Sequence, residues 1–243
     1  MSAFFDDLET RSPDRRAADL AEALPAQIAR AKDGAPALGR LLAEVDPSEI
    51  TDAAALARLP VLRKSELGRA QSETPPLGGF TTIPLSDFEH VFQSPGPIYE
   101  PGRTTDDWWR VGRFLNACGI GRGDIVQNCF GYHLTPAGMI FENGARAVGA
   151  TVLPAGTGQT ELQARAAADL GVTAYAGTPD YLKVILDKAE EMGLSLSVTK
   201  AAVGGGALFP SLRQEYADRG IRCLQCYATA DLGNIAYESP AME

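Results

Sequence analysis

Between residues 104 and 227 the chain alternates capped stretches of helical character with short apolar runs, and no other feature constrains its fold as tightly. The helical stretches fall at 104–118, 136–148, 160–170, 179–192 and 210–218, and the apolar runs at 124–130, 150–153, 172–176, 199–203 and 221–227. Helix–strand alternation with short connections predicts an α/β layer built on a largely parallel sheet. Right-handed crossovers gather the loops that leave the strands along one sheet edge, and open α/β sheets bind ligands outside that edge.

Ahead of this layer, residues 1–80 read as a helical, alanine-rich region, with the α/β region running over 81–243. Ser12 can cap a helix whose first position is Pro13. Leu20, Leu24 and Ile28 recur every fourth residue as one apolar stripe, and Asp33-Gly34 closes the helix. A shorter helix is expected over 52–58, ended by Leu59-Pro60. Residues 71–103 are rich in proline and glycine. Among them Phe88, His90 and Phe92 alternate with Glu89, Val91 and Gln93, as in a strand entering a Pro/Gly turn at 94–97.

Composition removes several classes of function. Against 22 Lys+Arg stand 31 Asp+Glu, a formal charge of −9, which argues against nucleic acid as a partner. No apolar run approaches the roughly 18 residues needed to cross a bilayer, so no membrane partner is expected. The opening MSAFFDDLETRSPDRR has neither the basic nor the apolar stretch of a secretory signal. Four cysteines in 243 residues do not make a disulfide scaffold, and a cytoplasmic location is the simplest expectation. Neither G-x-S-x-G nor G-x-x-x-x-G-K-[ST] occurs, and no G-x-G-x-x-G opens a helix after a strand.

The edge loops carry the chemistry. They are Phe130-Gly131-Tyr132-His133, Pro154-Ala155-Gly156-Thr157-Gly158-Gln159, Gly177-Thr178-Pro179, Gly204-Gly205-Gly206-Ala207 and Tyr227-Ala228-Thr229-Ala230-Asp231. Glycines let backbone N–H groups approach a phosphate or a flat ring, and an aromatic can stack on a base. A carboxylate at a loop can meet Mg²⁺ that also carries water and substrate phosphates. Any one of these loops is an ordinary βα connection. All of them together point to a nucleotide or a similar planar anionic ligand.

The order of these motifs resembles that of the phenylacetate–CoA ligase family of adenylate-forming enzymes. Residues 56–67 (LARLPVLRKSEL) are similar to its L-x-x-L-P-x-x-x-K-x-x-L, and residues 119–126 (GIGRGDIV) to its G-x-x-x-G-D-x-V. Residues 144–160 (GARAVGATVLPAGTGQT), 177–182 (GTPDYL), 205–207 (GGA) and 227–231 (YATAD) follow in the family's order. The resemblance implies ATP-dependent activation of a carboxylic acid: the carboxylate attacks the α-phosphate, pyrophosphate leaves, and CoA as co-substrate displaces AMP. It implies ATP or AMP, Mg²⁺ and CoA as ligands and an aryl or other small carboxylic acid as substrate. Position by position, Tyr227 would stack on adenine and Gly204, Gly205 and Gly206 would wall the adenine and the acid. Phe130, Tyr132, His133 and Thr135 would line the acid pocket, and Asp231 would take the metal-binding glutamate's place. Ser94 and Gly96 fall in the phosphate loop. Thr229 lies one residue before the family's hydroxyl position, which Ala230 occupies here.

The matching phosphate loop departs from the family's S-S-G-T-T-G-x-P. Here Pro95 and Pro97 remove N–H donors and Glu100 adds a negative charge. The family's ribose-binding aspartate, hinge and lid lysine would follow beyond residue 243, so the chain is expected to correspond to an N-terminal portion that lacks the lid lysine, with its catalytic residues unknown. The alternative is a non-catalytic nucleotide- or acid-binding protein on the same scaffold. Cys223-Leu224-Gln225-Cys226 lies in an apolar strand, where residues three apart face opposite sides, so buried structural thiols outweigh a zinc or redox role. Of His90 and His133, only His133 lies in an edge loop. Of Trp108 and Trp109, one is expected in the core and one at the surface, where it could support a homodimer.

Overall fold

A computed structural model describes residues 4–94, 96–105 and 107–241. The chain divides into two compact units, one of Asp7–Gly102 and one running from Arg103 onward together with the segment up to Asp6. The boundary lies later than the division near residue 80 because the hairpin that follows packs with the helices before it. Gln71 makes that link: its Nε2 donates to the Tyr99 carbonyl at 2.8 Å and its Oε1 accepts from the Tyr99 N–H at 2.8 Å.

The first unit holds α1 (Pro13–Gly34), α2 (Pro36–Leu41), α3 (Ala53–Leu56), α4 (Lys64–Glu73) and the antiparallel hairpin β1 (His90–Ser94) and β2 (Ile98–Gly102). Ser12 caps α1 as expected, its hydroxyl accepting from the Arg15 N–H at 3.2 Å, and Asp52 caps α3 by accepting from the Ala55 N–H at 2.7 Å. The apolar stripe of α1 is only partly buried. Ile28 joins Leu42, Ile50 and Ala55 in a small core, whereas Leu20 is 45% exposed. Pro101 is tolerated in β2 because a two-stranded ribbon leaves each strand an unpaired edge.

The second unit begins with a correction. The helix expected over 104–118 is confined to α5 (Gly112–Ala117), because Asp107 and Arg110 hold positive φ angles of 52° and 59° and break it. The Asp107 carboxylate instead accepts from the N–H groups of Val111 (3.0 Å) and Gly112 (2.8 Å). Trp109 is buried and Trp108 exposed. The alternation then follows the sequence: β3 (Ile125–Asn128), α6 (Ala137–Ala147), β4 (Thr151–Leu153), α7 (Thr160–Asp169), β5 (Ala174–Gly177), α8 (Pro179–Glu191), β6 (Lys200–Val203), α9 (Pro210–Asp218) and β7 (Arg222–Thr229). A strand not foreseen, β8 (Gly233–Tyr237), turns back antiparallel on β7.

The sheet order is β4-β3-β5-β6-β7-β8, parallel from β4 to β7. Successive connections run in opposite directions from β3, so the loops after β3 and β5 diverge and open a crevice at the carboxyl edge. Tyr175, Leu182, Ile185, Ala201, Val203, Tyr216 and Cys223 form one core cluster of this unit.

The opposite end of the sheet is tied by charge. Asp124 accepts from Lys200 Nζ at 2.8 Å on both oxygens, from Thr173 Oγ1 at 2.8 Å and from the Gly121 N–H at 2.9 Å. Burial pushes its pKa up, but the bonds from Lys200, Gly121 and Thr173 outweigh it and hold the carboxyl below its ordinary value. A depressed folded pKa contributes stability above the unfolded value of about 3.9, and this contribution is lost as pH falls through the folded one. Asp124→Asn is therefore expected to cost about 1–3 kcal/mol in denaturant unfolding at neutral pH. The gap to wild type should close in acid, as pH falls through the lowered folded pKa of Asp124.

Candidate functional site

At the crevice, the β3 loop is built on Asn128. Its Nδ2 donates to the Gly138 carbonyl and to Tyr132 Oη, both at 2.8 Å, and its Oδ1 accepts from the Phe130 N–H at 3.2 Å. The Tyr132 ring lies where a Cβ on Gly138 would come within 2.7 Å of it, so only glycine admits it there. Burial, then the neighbouring Glu142 carboxylate, push the Tyr132 phenol well above its ordinary pKa, which keeps it a neutral hydroxyl. Phe130 is buried and stacks on Phe141 at a centroid distance of 4.2 Å. Thr135 Oγ1 donates to the Gly131 carbonyl at 3.2 Å, and His133 is exposed.

The β4 loop is held from below by the buried Gln163 of α7. Its Nε2 faces the carbonyls of Gly158 (2.7 Å), Gly156 (3.0 Å) and Ala155 (3.3 Å). Its Oε1 accepts from Gln127 Nε2 at 3.0 Å and from the Cys129 thiol at 3.2 Å. Tyr181 adds a bond from its hydroxyl to the Gly158 carbonyl at 2.9 Å. In the β5 loop, the Tyr175 hydroxyl donates to the Thr178 carbonyl at 2.9 Å.

A groove of about 570 Å³ lies between the β6 loop and the β7–β8 hairpin, lined by Gly205, Gly206, Gln225, Tyr227, Tyr237 and Glu238 among others. Gly205 has φ 71°, and the Phe130 ring and the Thr178 methyl would lie 3.6 Å and 3.8 Å from a Cβ there. Gln225 fixes this wall: its Nε2 donates to the Gly206 carbonyl at 2.7 Å, and its Oε1 accepts from the Leu208 N–H at 3.3 Å. Glu238 accepts from Arg213 at 2.6 Å and from the Gln225 N–H at 2.8 Å. The Tyr227 ring is 63% exposed over this groove.

Of the residues singled out from sequence, Gly205, Gly206 and Tyr227 meet in one groove, and the buried Gly204 lies beside it. Residues 228 and 229, expected in a loop, instead belong to β7, which continues to Thr229 because β8 pairs with it. Thr229 and the exposed Asp231 flank the β7–β8 turn, where Thr229 Oγ1 accepts from the Leu232 N–H at 3.1 Å. Ser94 and Gly96 belong to the other unit. Gln225, Tyr237 and Glu238 were not foreseen. Their one sequence signal was the alternation of Asn234, Ile235, Ala236 and Tyr237 after a glycine.

Among the described residues no group of three or more His, Cys, Asp or Glu side chains could hold a metal ion. Asp231 therefore fits only a cation that brings its other ligands as nucleotide phosphates and water. No helix among the described residues is long and apolar enough to cross a membrane. The four cysteines are free and buried. Cys223 lies in the core cluster, whereas Cys226 Sγ is 3.0 Å from where a Gly204 Cβ would stand, so the two face apart. Burial pushes Cys129, Cys223 and Cys226 up to about 12. A thiol reagent near pH 8 is expected to find no fast-reacting cysteine in the folded protein and four after unfolding. Two fast thiols would restore the redox reading.

Comparison with known proteins agrees with the motif order. A phenylacetate–coenzyme A ligase of Pseudomonas putida is 29% identical over 243 residues, covering 95% of this chain and 54% of the relative. One of Thermus thermophilus is 28% identical over 239 residues, covering 93% and 53%. A third, of Aromatoleum evansii, is 31% identical over 167 residues, covering 66% and 37%. The chain thus spans about half the length of the curated relatives it matches. No family model matches. The fold is that of the adenylate-forming CoA ligases. A 2-hydroxyisobutyryl-CoA ligase in complex with 2-HIB-AMP and CoA superimposes with a TM-score of 0.84 over 99% of this chain and 55% of that one, at 20% identity. An open conformation of that ligase gives 0.82 over 92% of this chain and 52% of that one, at 21% identity.

Proposed function

We propose that this chain, a relative of the phenylacetate–CoA ligases along 95% of its length, is the adenylate-binding portion of an acid–thiol ligase. One observation carries the reading. At the carboxyl edge of a parallel sheet, Gly205, Gly206 and the exposed Tyr227 line one groove of about 570 Å³. Such a slot takes a flat base, stacked on Tyr227 and walled by Gly205 and Gly206. The acid would lie toward Phe130, Tyr132, His133 and Thr135, where the Tyr132 phenol stays a neutral group. In the whole ligase, the acid's carboxylate would attack the α-phosphate of ATP and expel pyrophosphate, and CoA would displace AMP. The protein's contribution is to align carboxylate and leaving group. Asp231 would meet a Mg²⁺ that the nucleotide brings. A cytoplasmic setting suits four free thiols. The exposed Trp108 is offered as a contact of a homodimer.

The test is titration calorimetry of the chain with AMP, then with an aryl acid in the presence of AMP. Saturable AMP binding that an acyl-adenylate analogue displaces is the expected result. Absence of any saturable nucleotide binding would remove the reading. A second reading, a binding protein without catalysis, is favoured by one bond: the Ser94 hydroxyl is already donated to Glu100.

A further inference from the structure

The turn that resembles a phosphate loop is closed by its own side chains. β1 and β2 pair in register down to Ser94 opposite Ile98. Of the three residues between these two, two are prolines, which have no N–H, so only Gly96 could offer a backbone donor. A phosphate cradle needs several converging N–H groups. The remaining candidate donor is the Ser94 hydroxyl, which has one proton. It gives that proton to Glu100 Oε1 at 2.8 Å, and Ser94 is 8% exposed. Lys64 Nζ reaches the same oxygen at 2.8 Å. The other oxygen of Glu100 is buried with no hydrogen-bond partner among the described residues, so the hairpin keeps an acidic group in its interior. Gln71 clamps the backbone of Tyr99, next to Glu100, by its two 2.8 Å bonds.

We infer that Ser94, Glu100 and Lys64 form a closed latch that withholds the hairpin's hydroxyl from phosphate, so that this chain holds an adenosine nucleotide without the hairpin gripping its β- and γ-phosphates. The second part rests on the nucleotide reading above. An anion at this turn would have to take the Ser94 proton from a buried carboxylate, and it would meet that carboxylate in a medium that screens poorly. Lys64, paired with Glu100 at 2.8 Å, offsets part of that charge, so the engaged hydroxyl is the larger obstacle.

The experiment is calorimetry of the full chain with AMP and with ATP, with and without Mg²⁺, on wild type and Ser94→Ala, alongside thermal melts of Ser94→Ala and Lys64→Met. The expected result is that ATP and AMP bind within about threefold of each other. Ser94→Ala should leave both affinities unchanged, and both variants should melt below wild type. A hydroxyl that gripped phosphate would give ATP roughly a tenfold advantage or more, erased by Ser94→Ala, and that outcome overturns the inference. If no nucleotide binds, the nucleotide reading fails by itself. The latch is then judged by the melts, and unchanged melting of both variants overturns it.

Discussion

Tyr227→Ala is expected to weaken AMP binding by roughly ten- to a hundredfold, since stacking on an aromatic is worth about 1–3 kcal/mol per base. It should leave the melting temperature nearly unchanged. The two halves of this result have separate causes. Tyr227 lies in β7 opposite Ala236, at a register irregularity between Tyr227 and Ala228, and its ring is 63% exposed. It contributes almost nothing to the core, so its removal leaves no cavity. A large exposed aromatic beside a glycine wall is costly to leave in water, and a flat ligand would cover it. Tyr227→Phe keeps the ring and should retain the affinity. If Tyr227→Ala binds AMP as wild type does, the base sits elsewhere and the groove is not the nucleotide site.

The groove was only half legible in the sequence, and its residues show why. The glycine run at 204–206 and Tyr227 follow apolar runs in a regular alternation, so local pattern was enough to set them on one edge. Their partners were hidden because β8 is made by long-range contacts. Gly233 takes φ 70° where a Cβ would lie 2.4 Å from the Trp109 carbonyl oxygen, and Asn234 donates its N–H to that oxygen at 2.8 Å. Nothing near residue 233 announces that a loop more than a hundred residues earlier will hold it. The same holds at 104–118, where helical composition loses to two positive φ angles at Asp107 and Arg110. The latch was visible only as an oddity. Glu100 reads as a charge exposed toward phosphates, yet it is 5% exposed and pairs with Lys64, thirty-six residues away. Capping, by contrast, is local, and Ser12 acts where its neighbours said it would.

Gln163→Leu is expected to be the most destabilising single change at the carboxyl edge, because one side chain satisfies groups from two segments, the end of β3 and the β4 loop. The Gln127 amide is 1% exposed and would lose its acceptor, and the half-buried Gly156 carbonyl would lose its donor, whereas the exposed Gly158 carbonyl keeps the Tyr181 hydroxyl. At about 1–3 kcal/mol for each buried group left unpaired, the loss should reach roughly 3 kcal/mol or more. For a chain of this size that corresponds to a fall of about 6–12 °C in melting temperature. The effect should be non-additive. Leucine at both 127 and 163 removes donor and acceptor together, so the double variant should recover much of the loss. A double variant as unstable as the sum of the singles would mean that cavity and strain, not unpaired amides, set the cost. The consequence for binding separates two sides of the site. Gln163 holds the 155–158 loop, and Thr157 of that loop faces Gly131, where a Cβ would be 4.0 Å from its methyl. The Tyr227 groove is held independently by Gln225 and Glu238. In Gln163→Leu, measured well below its melting point, acid binding should therefore weaken more than AMP binding. Equal loss of both would place the 155–158 loop against the nucleotide instead.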